Sequence, residues 1–306
     1  MSLKLQRSML ILPVNVQKFV EKAHGRGADA IVLDLEDAVP DSEKKMSRSL
    51  VRESIVIAGR GGADVLVRIN NDRSMIREDL EAAVYPGLSA LFMPKVEYPE
   101  QISELESLIG ELEKARGLEV GSIKIAIHVE SPLGLLNLRE IASSSKRAES
   151  ISMGVDDYCL QMGIRPSEAA EELYFPLNMI AIVARAYGII PLGILGSVAD
   201  YNDLEKFRLS AQRAKNLGFS GAYCIHPGQV EILNEVFSPA RVEELWARRV
   251  VECFEESSRK GRASTSLDGR MVDTPIYKQA LSILETVEAI EERNNRKKEL
   301  GKRLEN

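Results

Sequence analysis

Three acidic side chains follow two apolar runs of the sequence. Glu130 comes directly after residues 123–129, and Asp156 and Asp157 come directly after residues 151–155. If both runs are strands of one parallel sheet, their carboxyl ends lie at one edge, where the carboxylates repel unless a cation lies between them. Mg²⁺ suits such a place because it takes oxygen ligands, often one or two carboxylates, and keeps its other positions for water and substrate. Taken singly, each acid is better explained as a helix cap or a surface ion pair.

Arg68 and His226 lie at the ends of other apolar runs. Residues 65–67 before Arg68 are apolar, so its guanidinium starts from a buried backbone and needs an anionic partner. It could clamp a substrate carboxylate or form a structural pair with Glu36 or Asp37, and the spacing favours neither. His226, which precedes a proline, could be a general base or a strand-end residue that hydrogen-bonds the backbone. The remaining polar residues at strand ends are Asp34, Asn70 and Lys95.

Motifs for several other chemistries are absent from the sequence. It contains no Gly-x-Ser-x-Gly nucleophile elbow, no Gly-Lys-Thr/Ser phosphate loop and no histidine cluster for zinc or a catalytic triad. A site of magnesium and carboxylates remains. Such a site polarises a keto oxygen and stabilises an enolate, so we expect carbon–carbon bond making or breaking next to a carbonyl.

Eight short apolar runs supply the elements that must position these residues. They are residues 8–13, 30–35, 65–69, 90–94, 123–129, 151–155, 189–195 and 222–225. Apolar strands that alternate with amphipathic helices indicate a parallel sheet covered on both faces, and eight of them predict a closed (β/α)8 TIM barrel. A doubly wound open sheet is the alternative, but the glycine-rich turn expected after its first strand is missing. In a barrel, the carboxyl ends of the strands carry the active site.

Stretches with helical spacing lie between the strands and continue after them. They are residues 16–26, 42–58, 76–84, 100–116, 135–143, 166–187 and 203–217, then 229–237, 242–259 and a last helix from Pro275. We therefore expect a barrel domain over residues 1–237 and a C-terminal helical extension over residues 238–306, with a loop at 260–269. The end of the chain, 288–306, is dense in charges of both signs, which is typical of a solvated helix face or tail.

The composition excludes several classes of protein. Among 306 residues, 44% are hydrophobic and 28% are charged, which is typical of globular proteins. The 40 basic and 46 acidic side chains give a net charge of −6, so there is no general basic field for nucleic acid or an anionic membrane. Three scattered cysteines argue against a disulfide framework. Because no apolar stretch is long enough to span a bilayer and the start lacks a signal-peptide pattern, we expect a cytoplasmic protein.

Eight short segments of the sequence, which we call strings, contain the candidate residues discussed so far. They are RSMLILPVN (7–15), ADAIVLDLEDAVPDSEK (28–44), VLVRIN (65–70), FMPKV (92–96), IAIHVESPLGLLNL (125–138), SMGVDDY (152–158), LGFSGAYCIHPGQVEILNEVFSP (217–239) and DGRMVDTP (268–275). Each string alone is weak, but their joint order and spacing are specific. Together they resemble the citrate lyase beta-subunit family, which is related to the malyl-CoA lyases and the HpcH/HpaI aldolases, over residues 7–280.

This resemblance implies an eight-stranded barrel, oligomeric and often trimeric, that cleaves or forms a 3-hydroxyacyl thioester with Mg²⁺. Glu130 and Asp157 match the family's two metal carboxylates, and Arg68 matches the residue that binds the carboxylate and keto oxygen of an oxaloacetate- or glyoxylate-like fragment. Asp273 matches an acid that reaches the neighbouring subunit's site and handles the proton of the thioester enolate, with the loop before it as a lid. The other expected substrate-binding residues are Glu36, Asp37, Gly154, Asp156 and His226, where Glu36 and Asp37 resemble acids around the metal's water ligands.

Three places depart from the family pattern. Residues 174–179 read YFPLNM where an arginine-containing run is expected, Leu192 and Gly193 replace an acidic residue, and Ala222 and Tyr223 replace a lysine and an aromatic residue. Three hypotheses follow. The chain is a magnesium-dependent lyase for a citryl-CoA, malyl-CoA or citramalyl-CoA thioester, which yields acetyl-CoA and a 2-keto acid; or it is a class II type aldolase for a free hydroxy-keto acid; or it is a subunit that is active only within a larger citrate lyase complex.

Overall fold

Eight parallel strands form one sheet in the computed structural model, which describes residues 4–305. They are β1 (Ser8–Pro13), β2 (Ala30–Asp34), β3 (Asp64–Arg68), β4 (Ala90–Met93), β5 (Lys124–Val129), β6 (Ala148–Met153), β7 (Ile190–Leu192) and β8 (Ala222–Cys224). Their order, β7-β6-β5-β4-β3-β2-β1-β8, makes consecutive strands neighbours and returns β8 to β1. A bridge between Leu192 and Gly221 joins the two ends of the sheet. The predicted (β/α)8 TIM barrel is therefore confirmed.

The closure of the barrel depends on the absence of a side chain at Gly221. A Cβ atom there would lie 1.8 Å from the carbonyl oxygen of Gln6 and 2.7 Å from Cα of Arg7. The Gly221 carbonyl accepts a hydrogen bond of 2.8 Å from the amide of Gly193. Glycine at this position thus lets the backbones before β1, after β7 and before β8 meet.

Helices follow the strands around the barrel. They are α1 (Gln17–Ala23), α2 (Lys44–Gly59), α3 (Arg73–Ala83), α4 (Pro99–Ala115), α5 (Pro132–Leu136), α6 (Leu138–Ser143), α7 (Val155–Met162), α8 (Tyr174–Tyr187), α9 (Leu204–Asn216) and α10 (Pro227–Val236). No helix between residues 4 and 305 is long and apolar enough to cross a membrane.

Three of the predicted elements were wrong in detail. The strand predicted at 151–155 ends at Met153, and Asp156 and Asp157 lie in the first turn of α7, which the sequence did not reveal because eight residues give too little periodicity. The helix predicted over 166–187 begins only at Tyr174, because Ala170 has φ of +53° and a single 3₁₀ turn follows it. The predicted helix over 135–143 is divided into α5 and α6.

Alternation along the strands produces two apolar cores. Side chains on the outer face pack against the helices, and those on the inner face fill the barrel. The inner group is Met9, Ala30, Val32, Leu66, Ala90, Phe92, Ala126, Leu192 and Tyr223. Its three alanines leave room for the two aromatic rings, which lie at the carboxyl-end side of the barrel interior, next to the site described below.

Residues 6–237 form one compact unit, and residues 238–305 with residues 4–5 form another. The second unit contains α11 (Arg241–Arg259), β9 (Thr265–Leu267), β10 (Arg270–Val272) and α12 (Thr274–Glu305). The loop predicted at 260–269 is in part a β-hairpin, since β9 and β10 pair antiparallel. Its two turn residues, Asp268 and Gly269, have φ of +51° and +79°, which is the conformation of a tight hairpin turn.

Candidate active site at the carboxyl ends of the strands

A cavity of about 370 Å³ opens at the carboxyl ends of the barrel strands. Each of the eight strands contributes to its wall, either directly or through the residues that follow it. The predicted site residues that line the cavity are Asp37, Arg68, Glu130, Gly154, Asp156 and Asp157. The structure therefore brings together the two predicted metal ligands and the predicted carboxylate clamp.

Glu130 is a buried carboxyl group with one oxygen left without a partner. Its side chain is 4% exposed, its Oε1 lies 3.1 Å from Nε2 of His128, and its Oε2 has no hydrogen-bond partner. Burial, followed by the charges of Asp157 and Glu36, raises the pKa of Glu130 to about 8. An unpartnered buried oxygen is costly unless a cation or a donor satisfies it, so Oε2 is suited to bind a cation or accept from a ligand.

Asp157 approaches Glu130 because Gly154 precedes α7. A Cβ atom on Gly154 would lie 2.8 Å from Cγ of Glu130 and 2.9 Å from Nε2 of His128. Glycine thus lets the start of α7 lie against the end of β5. Asp156, in the same helical turn, is exposed and accepts a hydrogen bond of 2.7 Å from the hydroxyl of Ser197. The two neighbouring aspartates therefore have different surroundings.

These surroundings fit a magnesium ion. Across residues 4–305, no group of three or more His, Cys, Asp or Glu side chains is arranged to hold a metal. A cation in this cavity would thus take its protein ligands from the Glu130 and Asp157 carboxylates and fill its other positions with water or substrate, which is how Mg²⁺ is commonly bound. It would satisfy Glu130 Oε2 and remove the repulsion from Asp157.

Carboxylates at and just after the end of β2 bind the guanidinium of Arg68. Its Nε and Nη2 donate to the two oxygens of fully buried Asp34, and its Nη1 lies 3.1 Å from Glu36. Asp34 also accepts from the backbone amides of Glu36 and Ala38, so its oxygens are saturated. Although burial opposes the charge, the hydrogen bonds that Arg68 donates to Asp34 raise the pKa of the guanidinium. The guanidinium is thus fixed in place, charged and facing the cavity.

Glu36, Asp37 and Lys95 form a second charged group beside Arg68. The Lys95 ammonium donates to both carboxylates, at 3.0 Å from Asp37. Burial raises the pKa of Glu36, whereas hydrogen bonds from Lys95 lower the pKa of Asp37 in spite of its partial burial. Lys95 has φ of +53°, an uncommon backbone conformation for lysine that is often found at functional sites.

His128 is a site residue that the sequence reasoning missed. Its Nδ1 lies 2.6 Å from the hydroxyl of Ser152, which donates at 3.2 Å to the Ile127 carbonyl. The hydroxyl of Ser152 therefore holds the His128 ring in place, and Nε2 faces Oε1 of Glu130. Burial, followed by the charges of Arg68 and Lys95, lowers the pKa of His128 to about 3, so the ring is neutral. Its position two residues before Glu130 places both on one face of β5, which was the available signal.

Aromatic rings close the floor of the cavity. Phe92 and Tyr223 are stacked with ring centroids 4.7 Å apart and an interplanar angle of 8°. The His128 ring meets Phe92 edge-on at 5.0 Å. This floor also was not predicted, because it is assembled from β4, β5 and β8, which are far apart in the sequence.

Three predicted site residues do not line the cavity, namely Glu36, which lies against Arg68 and Lys95, and His226 and Asp273. His226 is the N-cap residue before α10, where its Nδ1 accepts a hydrogen bond of 3.1 Å from the amide of Gly228, and its ring stacks on Tyr201. Asp273 belongs to the second compact unit, where its carboxylate accepts from the amide of Ile276 at the start of α12. The substrate-binding role of His226 and the catalytic role of Asp273 stay predictions.

Comparisons with known proteins identify relatives of the chain. The sequence model of a family described as HpcH/HpaI aldolase/citrate lyase matches residues 7–227. The chain is 36% identical to the citrate lyase subunit beta of Leuconostoc mesenteroides subsp. cremoris over 287 residues, which cover 94% of each protein. It is 32% identical to a (3S)-malyl-CoA thioesterase of Cereibacter sphaeroides over 285 residues, which cover 93% of this chain and 95% of that protein.

A solved structure has the same fold. The protein CitE of Mycobacterium tuberculosis, in complex with magnesium, acetoacetate and coenzyme A, superposes with a TM-score of 0.70 at 24% sequence identity. The match covers 91% of this chain and 97% of that one. At this identity the likeness concerns the fold.

Proposed function

The chain belongs to the HpcH/HpaI aldolase/citrate lyase family, and from this premise we propose that it is a magnesium-dependent carbon–carbon lyase for a 3-hydroxyacyl-CoA thioester. The resemblance inferred from the sequence strings is thus confirmed at the level of the family. The observation that carries the proposal is the unpartnered, buried Oε2 of Glu130, which lies in one cavity with Asp157 and Arg68.

In the cleavage direction, the hydroxyl group at C3 loses its proton and the bond between C2 and C3 breaks. The electron pair stays on C2 of the departing acetyl thioester, which then takes up a proton, while C3 becomes the carbonyl carbon of a 2-keto acid. Arg68 is placed to bind the carboxylate of this keto acid, because Asp34 and Glu36 hold its guanidinium rigidly towards the cavity. A fixed guanidinium orients the substrate without losing side-chain entropy on binding.

Glu130 and Asp157 would hold Mg²⁺, which when bound supplies a Lewis acid beside the keto oxygen. His128 keeps the Glu130 carboxyl group in one orientation, since the histidine ring is itself fixed by Ser152 and Phe92. The aromatic floor excludes water from the barrel side of the cavity. These contacts keep the site organised in the absence of substrate.

Asp273 is proposed to protonate the acetyl enolate in the site of a neighbouring subunit, as the family resemblance implies. Mixing two inactive variants tests this role. Arg68→Met lacks the substrate clamp, and Asp273→Asn lacks the proton donor. Assemblies that contain both variants should regain activity, because some sites then combine an intact Arg68 with an intact Asp273. If activity is not recovered, either Arg68 and Asp273 act in the site of the same subunit or Asp273 does not have the proposed role.

The proposed activity is tested by incubating the purified protein with citryl-CoA, malyl-CoA and citramalyl-CoA, with Mg²⁺ or with a chelator. We expect acetyl-CoA and a keto acid to form only with Mg²⁺, and Glu130→Gln to abolish their formation. Glu111→Gln, which changes an exposed carboxylate of α4, is the matched control and should keep full activity. Full turnover by Glu130→Gln, or in the presence of chelator, would refute the proposal.

Product analysis separates the alternatives. The thioesterase relative makes hydrolysis a second candidate, for which the products would be free CoA thiol and a hydroxy acid instead of acetyl-CoA. Cleavage of free hydroxy-keto acids in the same assay would favour the aldolase hypothesis. The citrate lyase relatives are named as subunits. A chain that is inactive alone but active with partner subunits would therefore support the third hypothesis, in which the protein works only within a larger citrate lyase complex.

We also propose that the protein is a cytoplasmic homo-oligomer, with a trimer favoured by the family resemblance. Apolar side chains that are 72–77% exposed lie on the neighbouring helices α5, α7 and α8, at Leu136, Leu160 and Phe175. Exposed apolar residues grouped in this way are typical of an interface. Light scattering after gel filtration measures the assembly, and a monomer at all concentrations would contradict this proposal.

A further inference from the structure

The wall of the cavity contains far more acidic than basic side chains. Four carboxyl groups line it, on Asp37, Glu130, Asp156 and Asp157, whereas Arg68 is the only Lys or Arg side chain that lines it in the described part of the barrel. A bound Mg²⁺ would be shared by Glu130 and Asp157. The cavity thus offers one guanidinium for one substrate carboxylate.

Neighbouring cationic groups do not supply a second clamp. The Lys95 ammonium is bound to Glu36 and Asp37 and lines an adjacent depression rather than this cavity. His128 faces the cavity, but its two ring nitrogens already lie against the hydroxyl of Ser152 and a carboxyl oxygen of Glu130. A second carboxylate on the substrate would therefore find no free Lys or Arg side chain in the wall of this cavity.

Much of the remaining cavity surface is apolar, although the hydroxyls of Ser152 and Ser197 also line it. The stacked rings of Phe92 and Tyr223 form its floor, and Ile11, Leu192 and Ile194 lie in its wall. A hydrogen atom or a methyl group fits such a surface at no electrostatic cost. A carboxylate would lose its hydration against these side chains or approach Asp156, and both outcomes weaken binding.

We propose that the 2-keto acid produced or consumed at this site carries a single carboxylate, as glyoxylate and pyruvate do, in contrast to oxaloacetate. This inference rests on the proposed lyase function and selects its substrate class: a thioester of the malyl-CoA or citramalyl-CoA type, in which C3 carries one carboxylate and a hydrogen or methyl group. Cleavage breaks the bond between C2 and C3, moves the hydroxyl proton to solvent or a base, and returns a proton to C2, with no oxidant or reductant.

Calorimetric titration with Mg²⁺ present measures the preference directly. We expect glyoxylate or pyruvate to bind at least about tenfold more tightly than freshly prepared oxaloacetate. The monoanion 4-methyl-2-oxopentanoate has an uncharged isopropyl group of nearly the same shape in place of the second carboxylate of oxaloacetate. It therefore separates charge from size, and it should also bind more tightly than oxaloacetate. Oxaloacetate binding that equals or exceeds pyruvate binding would overturn the inference.

Turnover separates a failure of this inference from a failure of the proposed function. If citryl-CoA is cleaved faster than malyl-CoA and citramalyl-CoA, the protein is a lyase and the substrate class is wrong. If none of the thioesters is cleaved and none of the keto acids binds with Mg²⁺, both proposals are wrong. Preferential cleavage of malyl-CoA or citramalyl-CoA supports both.

A variant that adds a positive charge tests the electrostatic reason. Ile225 follows β8, lines the cavity and is 42% exposed, so it can be replaced without disturbing the core. Ile225→Lys should strengthen oxaloacetate binding about tenfold relative to the uncharged control Ile225→Met, with a much smaller change for pyruvate. Equal changes for both keto acids would show that charge does not set the preference.

Discussion

The affinity of the protein for Mg²⁺ is expected to rise steeply with pH because Glu130 must lose a proton to bind the metal. Burial and the charges of Asp157 and Glu36 raise the pKa of this carboxyl group to about 8. With that value, its deprotonated fraction increases from about 1% at pH 6 to about 50% at pH 8, so the affinity should increase about fiftyfold over this interval. An ordinary glutamate would be ionised throughout and would give a flat profile.

Isothermal titration in buffers of different ionisation enthalpy measures both the affinity and the number of protons released. At pH 6 to 7 we expect about one proton per Mg²⁺ bound. Asp157→Asn should weaken Mg²⁺ binding and lower the pKa of Glu130, because it removes a ligand and a repelling charge. Asp156→Asn is the neighbouring control, since Asp156 is exposed and bound to Ser197, and it should leave the pH profile unchanged. A constant affinity between pH 6 and pH 8 would refute the reasoning.

The raised pKa of Glu130 also determines how the stability of the metal-free protein changes with pH. The folded state holds the Glu130 proton more tightly than the unfolded chain, whose glutamate has a pKa near 4.5. The resulting stabilisation is complete below pH 4.5 and is lost as the pH rises through about 8. Mg²⁺ should therefore raise the melting temperature more at pH 8 than at pH 6. The opposite order in a thermal melt would contradict this assignment.

Other substitutions probe the clamp, the metal ligand and the barrel separately. Arg68→Lys keeps the charge but loses the planar fork, so the Kd of the keto acid should increase about a hundredfold in a calorimetric titration, and an unchanged Kd would exclude Arg68 as the clamp. His128→Gln should weaken Mg²⁺ binding about tenfold through the misplaced Glu130, and unaltered binding would deny it a positioning role. Glu113→Gln breaks a buried ion pair with an arginine far from the cavity, so the free energy of unfolding in urea should decrease by about 3–5 kcal/mol. The exposed Glu111→Gln should change this free energy by less than about 0.5 kcal/mol. Equal stability of these last two variants would mean that the buried pair contributes nothing.

The sequence by itself determined the barrel and the edge at which the site lies. Most of the strands are largely apolar, and this property can be read locally because it depends on residues that are consecutive in the chain. The polar residue after each run follows from the same local pattern, which is why Glu130, Asp157 and Arg68 could be named in advance. Local patterns failed for α7 and for the hairpin of β9 and β10, since elements of three to eight residues carry too little periodicity.

Only the tertiary structure decided which side chains meet and what charge they carry. The spacing left Arg68 undecided between a substrate and Glu36 or Asp37, whereas the fold places Asp34, 34 residues earlier, directly against it. The neutral ring of His128 and the unpartnered oxygen of Glu130 likewise result from burial by strands that are distant in sequence. Desolvation and partner choice depend on distances across the closed barrel, and a linear pattern does not contain those distances.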